Sequence, residues 1–246
     1  MATSYSITEK FGRNLAEFLS EKIIMVYPIF DKKNFVTLTE NRIIGKTYTQ
    51  RICIIAELLK KFLPQNYEEA LHILISVIGE ENPNQTGMFT NYYWIMPIGK
   101  FVEEYGLEYF ELSIKAIEEI TKRNTGEYAI RPYIRQYPDQ TLKVMENWAI
   151  SPNFHLRRLA SEGLRPKLPW ATKLDTFNDH PTPVFNILEL LKEDEILFVK
   201  KSVANHLTDW LKVNKEAVIP LIKRWRDLPN PNTQWIIRRA TRKINV

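Results

Sequence analysis

Apolar positions along this chain recur mostly at i, i+3, i+4 and i+7, and the strict alternation of a half-buried strand is scarce. That periodicity predicts an all-α protein. It places helices over 8–20, 34–63 (broken within that span), 66–79, 94–104, 107–123, 127–137, 138–149, 153–165, 170–178, 183–192, 195–212, 214–227 and 231–244. Local start signals agree. Asn66 precedes Tyr67-Glu68-Glu69-Ala70 and Asn214 precedes Lys215-Glu216-Ala217, each a side chain able to accept from the orphan amides of a first turn. Ser151-Pro152, Thr182-Pro183 and Asn230-Pro231 put a capping residue before a proline at the first helical position, where the missing N–H has no cost.

A weak repeat runs through the second half. Leu156-Arg157-Arg158-Leu159-Ala160 recurs as Val199-Lys200-Lys201-Ser202-Val203 and as Ile237-Arg238-Arg239-Ala240-Thr241, at offsets of 43 and 38 residues. Helix pairs at that period suggest HEAT-like units, which stack into an α-α superhelix with a concave surface because none can bury its apolar face alone. Coincidence among amphipathic helices is the alternative. On a wheel of about 100° per residue, Leu159, Ala160 and Gly163 join Leu156 in a packing stripe, and Arg158, Glu162 and Arg165 fall on a different, exposed face. In the next unit Val199, Ser202, Val203 and His206 form the stripe, and Lys201, Asn205 and Asp209 the other face; Arg239 and Lys243 take the equivalent places in the last. Stacking then aligns Arg158, Lys201 and Arg239 in a basic column with Glu162 and Asp209 beside it. Ordinary exposed salt bridges within a helix give the same spacing.

Composition narrows the chemistry. The 246 residues are 44% apolar and 26% charged, a length that suits one large domain or two small ones and can bury a sizeable core. One cysteine excludes a disulfide framework and a cysteine-rich zinc site, and the four histidines have no metal-pair spacing, so no metal or other cofactor is expected. Eight glycines without a GxGxxG or GxxxxGK[ST] run argue against a phosphate-cradling nucleotide enzyme. The opening MATSYSITEKFG lacks the pattern of a secretory leader, and no apolar run nears bilayer length, so the expectation is a cytoplasmic protein with no membrane contact. The net charge of +5 is unevenly spread: residues 1–120 sum to −4, 121–170 to +5, 171–198 to −4 and 199–246 to +8. Two basic blocks are the footprint of a polyanion partner, or simply a solvated basic surface.

Specific motifs go further. Thr121-Lys122-Arg123 followed by Glu127-Tyr128-Ala129-Ile130-Arg131-Pro132, then Leu156-Arg157-Arg158-Leu159-Ala160-Ser161-Glu162-Gly163, then Arg165-Pro166-Lys167-Leu168-Pro169-Trp170-Ala171, and finally Ser202-Val203-Ala204-Asn205-His206-Leu207 with Asp209, resemble the AlkC branch of the HEAT-like-repeat DNA alkylation repair proteins. The similarity covers roughly Trp94 to Trp225. The resemblance implies a monofunctional DNA glycosylase that removes small cationic N-alkylated bases, notably 3-methyladenine and in AlkC proteins also 3-methylcytosine, without flipping the lesion into a deep pocket. Its catalytic acids would be Glu127, Glu162 and Asp209, and Trp170 would lie against the lesion's deoxyribose. The partner would be double-stranded DNA containing alkylated bases, held in a concave basic groove by Arg131, Arg157, Arg158, Arg165, Lys167, Lys200, Lys201, Arg238, Arg239 and Lys243. Some members carry a C-terminal immunoglobulin-like domain; the helical sequence running to Val246 gives the expectation of a single HEAT-like domain over 1–246 without one, acting as a monomer.

The chemistry suits such acids. An N3-alkylated purine is already cationic, so it leaves without a general acid; the difficulty is positive charge developing on the sugar. Fixed carboxylates stabilise that charge and one can orient water. A groove built only to hold phosphate has no use for them. A non-catalytic DNA-binding solenoid for branched or distorted DNA, and a HEAT-type protein scaffold, remain as other readings. Several residues also keep an ordinary alternative. Trp170 can be core packing, and Arg131 can serve a phosphate or a salt bridge. Trp148, Trp210 and Trp225 read as inter-helix packing, His206 as a core histidine, and Cys53 as buried and inert.

Overall fold

In the computed structural model, which describes residues 6–87 and 91–243, every regular element is helical among the described residues. The α-helices are α1 (Arg13–Ile24), α2 (Lys32–Arg42), α3 (Tyr48–Phe62), α4 (Tyr67–Ser76), α5 (Met96–Tyr105), α6 (Phe110–Thr121), α7 (Arg131–Gln136), α8 (Pro138–Ala149), α9 (Phe154–Glu162), α10 (Thr182–Leu191), α11 (Leu197–Val213), α12 (Lys215–Arg226) and α13 (Pro231–Thr241). They fall into two compact units, one of residues 1–82 and 87–125, the other of 83–86 and 126–246.

The first unit holds α1–α6. The span expected as one broken helix over 34–63 is α2 and α3, separated at Gly45, whose φ of +69° lies where a side chain is strained. Thr47 then restarts the chain with a capping box to Gln50. The buried Phe30 and Phe35 are tilted against each other, and the half-buried Phe62 meets both edge-on. Tyr67 stacks between Phe101 and Tyr109, with its hydroxyl on Ser113. Cys53, expected to be buried, is only half-buried.

The second unit holds α7–α13. Here α11 packs against both α9 and α13, α8 packs on α9, and α12 lies against α11 and α13. The predicted stripes are the contact faces: Leu156, Leu159, Ala160, Val199, Ser202, Val203 and His206 are all buried, as are Ile237 and Ala240 of α13. Trp148, Trp210 and Trp225 are buried with them. The caps read from Asn66, Asn214 and Asn230 are made. Near residue 151 the capping side chain is Asn153, which accepts from the His155 amide, rather than Ser151.

Three expectations need correction. The helix placed over 127–137 begins only at Arg131, and Glu127 lies on the turn before it. The helix placed over 170–178 does not form. Trp170 at its expected start has a φ of +65°, outside the helical region, and the segment is instead anchored by the buried Leu168, Leu174 and Phe177. Finally, Glu162, Arg165 and Asp209, assigned to an exposed face, are buried. α9 ends at Glu162, so helical phase does not extend to Arg165, and α11 covers the face on which Glu162 lies. The last residue of the helix expected over 231–244 lies outside the described residues.

Candidate functional site: an arginine-threaded set of carboxylates

All three acids singled out in the sequence belong to the second unit, and two guanidinium groups join them into one chain of contacts. The turn ahead of α7 supplies Glu127, α9 supplies Arg158 and Glu162, the residues after α9 supply Arg165, and α11 supplies Asp209. Arg158 Nη2 stands 2.7 Å from Glu127 Oε2 and 3.6 Å from Glu162 Oε1. Arg165 Nη1 donates to Glu162 Oε1 at 2.6 Å, and its Nε to Asp209 Oδ2 at 2.8 Å. The three carboxylates are 4, 5 and 6% exposed in chain order. Phe198 of α11 lies under the Arg158 guanidinium, 4.7 Å from centroid to Cζ, a contact that favours a flat delocalised cation.

Three carboxylates share two guanidinium groups by direct contact, and Arg131 acts on Glu127 and Lys212 on Asp209 from further off. Removing one partner from such a buried set leaves an uncompensated charge, at a cost of about 3–5 kcal/mol, while the intact set adds little to stability over an apolar core. Burial pushes the Glu162 carboxyl up, but Arg158 and Arg165 beside it and hydrogen bonds from Ser202 and Arg165 outweigh that, and it ends below its ordinary value. Burial also pushes Asp209 up; only Arg165 opposes strongly, Glu162 adds repulsion, and Asp209 ends above its ordinary value. The hydrogen bonding differs in the same sense. Both oxygens of Glu162 are held, Oε1 by Arg165 and Oε2 by Ser202 at 2.5 Å. Asp209 is held through Oδ2 alone.

The basic residues divide into those turned inward and those left outside. Arg131, expected at a phosphate or in a salt bridge, does neither. It is 2% exposed, and its guanidinium donates to the carbonyls of Gly163 at 3.2 Å, Arg165 at 2.9 Å and Thr172 at 2.7 Å. Burial, then repulsion from Arg135 and Arg165, lowers it to about 10. Arg135 adds bonds to Thr172 Oγ1 and the Lys173 carbonyl. Together these two arginines fix the irregular segment that carries Trp170, and Tyr128, next to Glu127, donates to the Pro169 carbonyl at 3.3 Å. Trp170 is 82% exposed, so its core-packing alternative fails.

Arg157 pairs with Asp194 at 2.6 Å and donates to the Ser151 and Pro152 carbonyls, tying α9 to the turn ahead of α11. Lys200 donates to Asn232 and lies over Trp235, where Arg239 also stacks. Lys167, Lys201, Arg238 and Lys243 are exposed. The column expected from Arg158, Lys201 and Arg239 is therefore not one exposed row, because Arg158 turns into the carboxylate chain. Ser161 and Ser202 went unrecognised as parts of the site. The available signal was Ser202 within the otherwise apolar stripe of α11; Ser161 lies off the stripe of α9 and gave none. No group of residues suited to a metal ion occurs among the described residues.

The profile of the DNA alkylation repair enzyme family matches residues 96–244. The solved structure of AlkC from Pseudomonas fluorescens, an alkylpurine DNA glycosylase bound to DNA containing an abasic site analog, superposes with a TM-score of 0.87 at 33% identity, over 98% of this chain and 65% of that one. YhaZ of Bacillus subtilis (strain 168) is 34% identical over 239 residues, 97% of this chain and 64% of its own length. The chain thus spans about two thirds of the length of these relatives. The helical arrangement is that of HEAT-like repeats.

Proposed function

The chain belongs to the DNA alkylation repair enzyme family, and from that premise we propose that it is a monofunctional DNA glycosylase that hydrolyses the N-glycosidic bond of cationic N-alkylated bases in double-stranded DNA. The lesions are 3-methyladenine and 3-methylcytosine, taken without flipping. The observation that carries this reading is the joining of Glu127, Glu162 and Asp209 through Arg158 and Arg165 into one buried set.

In this reading the C1′–N bond breaks with its electron pair leaving on the already cationic base, which departs neutral. Water adds to C1′ and gives a proton to a carboxylate. Asp209 fits that step best. Its Oδ1 is left by Arg165, and a carboxyl raised above its ordinary value is the better base of the set. Glu162, held at both oxygens, acts as a fixed negative charge for the developing sugar cation, and Glu127 adds to the same field. Trp170 lies along the deoxyribose, and Lys167, Lys201, Arg238 and Lys243 meet phosphates. Arg131, Arg157, Arg158 and Arg165 act from inside the protein, by shaping and neutralising.

One feature favours a second reading, a non-catalytic DNA-binding protein: each carboxylate already has a guanidinium partner, as a purely structural network would. Incubation with N-methylated DNA and chromatography of the released bases separates the two. The expected result is release of 3-methyladenine, with Asp209→Asn at least about 100-fold slower and binding DNA as well as the wild type. No methylated base above background from the wild type leaves only the second reading.

A further inference from the structure

Behind Glu162 lies a second tier of buried polar groups that no step above uses. Ser202 Oγ stands 2.5 Å from Glu162 Oε2 and 3.0 Å from Ser161 Oγ, and Ser161 Oγ stands 3.4 Å from His206 Nδ1. Ser161, Ser202 and His206 are all at most 2% exposed. Hydroxyls buried between packed helices, where methyl groups would fill the space, cost desolvation unless paired, so their meeting here calls for an explanation beyond packing.

Proton counting orients the row. An ionised carboxylate only accepts, so the single Ser202 proton goes to Glu162. The geometry makes Ser202 Oγ the donor toward both Glu162 Oε2 and Ser161 Oγ; its one proton takes the shorter bond, to Glu162, and leaves Ser161 the longer contact. His206 also hydrogen-bonds the Ser161 backbone, a contact that favours the protonated ring and so comes from a ring N–H; with Nε2 unpartnered, Nδ1 is the protonated nitrogen of a neutral ring and faces both the Ser161 backbone and its Oγ. The remaining nitrogen, Nε2, is buried without a partner; a bare lone pair there is tolerable where an orphan N–H is worse. Burial holds His206 down to about 3, and Arg165 adds to this, so the ring stays neutral across the working range.

We propose that His206, Ser161 and Ser202 form an ordered hydrogen-bond row whose purpose is to aim and fix the Glu162 carboxylate, making Ser202 a positioning residue of the site. The proposal rests on the glycosylase reading only for its activity arm. Glu162 faces Arg158 on its own helix, Arg165 after it, and Ser202, His206 and Asp209 from α11; Glu127 reaches it through Arg158. Arg131 of α7 bonds the Gly163 and Arg165 carbonyls beside Glu162 and acts on Glu127, Arg165 and His206, so it is a further cation in the field; Asp139, Lys143 and Glu146 of α8 are exposed, and Glu189 of α10 is paired with Lys192 and Arg224.

Loss of the Ser202 bond removes one of the causes that lower Glu162, so the carboxyl must take up its proton at higher pH. Protein labelled with 13C-carboxyl glutamate, with Glu162→Gln identifying the resonance, is titrated for wild type, Ser202→Ala and Ser202→Thr. The expected result is an upward shift of the Glu162 titration in Ser202→Ala and its return towards the wild-type value in Ser202→Thr. An unchanged titration in a folded Ser202→Ala protein overturns the proposal. If that variant does not fold, Ser161→Ala gives the same measurement one step back and must move Glu162 in the same direction.

Base release supplies the second arm. Ser202→Ala should move the acid limb of the pH–rate profile upward and slow the reaction about tenfold at neutral pH, with Ser202→Thr restoring both. A wild-type protein that releases no base sinks the glycosylase reading while the titration still decides the row. A wild-type protein that releases base, with identical profiles in all three, sinks the row alone.

Discussion

Glu162 and Asp209 touch the same guanidinium yet are displaced in opposite directions, and the difference comes first from how many cations each faces and only then from hydrogen bonds. Glu162 lies between two arginines and accepts from Ser202, so its charged form is held down to lower pH. Asp209 has one arginine, suffers burial and the Glu162 charge, and is pushed towards its proton. The signs for stability follow. The Glu162 contribution is present above the unfolded carboxyl range and is lost as pH falls through its lowered folded value; Asp209 works the other way, its folded form losing stability as pH rises through its own raised value. At the same scale, Trp170 is held at a φ of +65° with most of its ring in solvent. A bulky residue there costs roughly 1–2 kcal/mol of backbone strain, and strain of that kind gathers where a side chain must be presented. The expected outcome is that Trp170→Gly unfolds at higher urea than Trp170→Ala, by about 1 kcal/mol after allowing for the flexibility of glycine, while both lose base release. Equal stability of the two variants would show that the backbone at this position is not strained.

At the level of elements, the site depends on how closely the turn before α7, α8 and the end of α9 approach one another. Gly163, next to Glu162, permits this. A Cβ there would lie 2.9 Å from Ile130 Cγ2, 3.0 Å from Met145 Cε and 3.2 Å from the Leu159 carbonyl. Met145 can swing aside, but Ile130 is fully buried. Gly163→Ala should therefore cost about 1–3 kcal/mol in urea unfolding and slow base release by displacing Glu162; a variant of wild-type stability would mean that Ile130 yields to the added methyl group. Helix phase in the sequence located the buried faces of α9 and α11 correctly at Leu156, Leu159, Val199 and Val203. It failed for Glu162 and Asp209. A wheel gives directions about its own axis only, and which directions a neighbouring helix covers depends on packing that the wheel does not contain. The segment from 170 to 178 failed for a related reason. Its spacing of apolar residues suits a helix, but Arg131 and Arg135, far upstream, supply the bonds that hold it in another shape.

For the molecule as a whole, charge is divided as unequally as the chain is. The second unit carries 20 basic and 13 acidic side chains, a net +7, whereas the first carries 14 and 16, a net −2. Arg157, Arg158 and Arg165 are turned inward by Asp194 and the three site acids, while Lys167, Lys201, Arg238 and Lys243 are among the exposed cations. If these meet phosphates, the logarithm of DNA affinity should fall linearly with the logarithm of salt, and Lys201→Ala should make the slope shallower by about 0.9; the same slope in the variant would remove Lys201 from the interface. The sequence by itself determined the helical periodicity, the stripes that become contact faces, the basic second half and, through its motifs, the three acids. These are properties of residue order, carried by local periodicity and side-chain chemistry. Only the tertiary structure decided that Arg158 and Arg165 turn inward to thread those acids, that Arg131 grips a loop instead of a phosphate, that Trp170 stands in solvent, and that two serines and a histidine line up behind Glu162. Each of those outcomes depends on contacts between residues some 30–45 positions apart, where the free energy of a charge or hydroxyl is set by the groups that surround it and not by its neighbours in the chain.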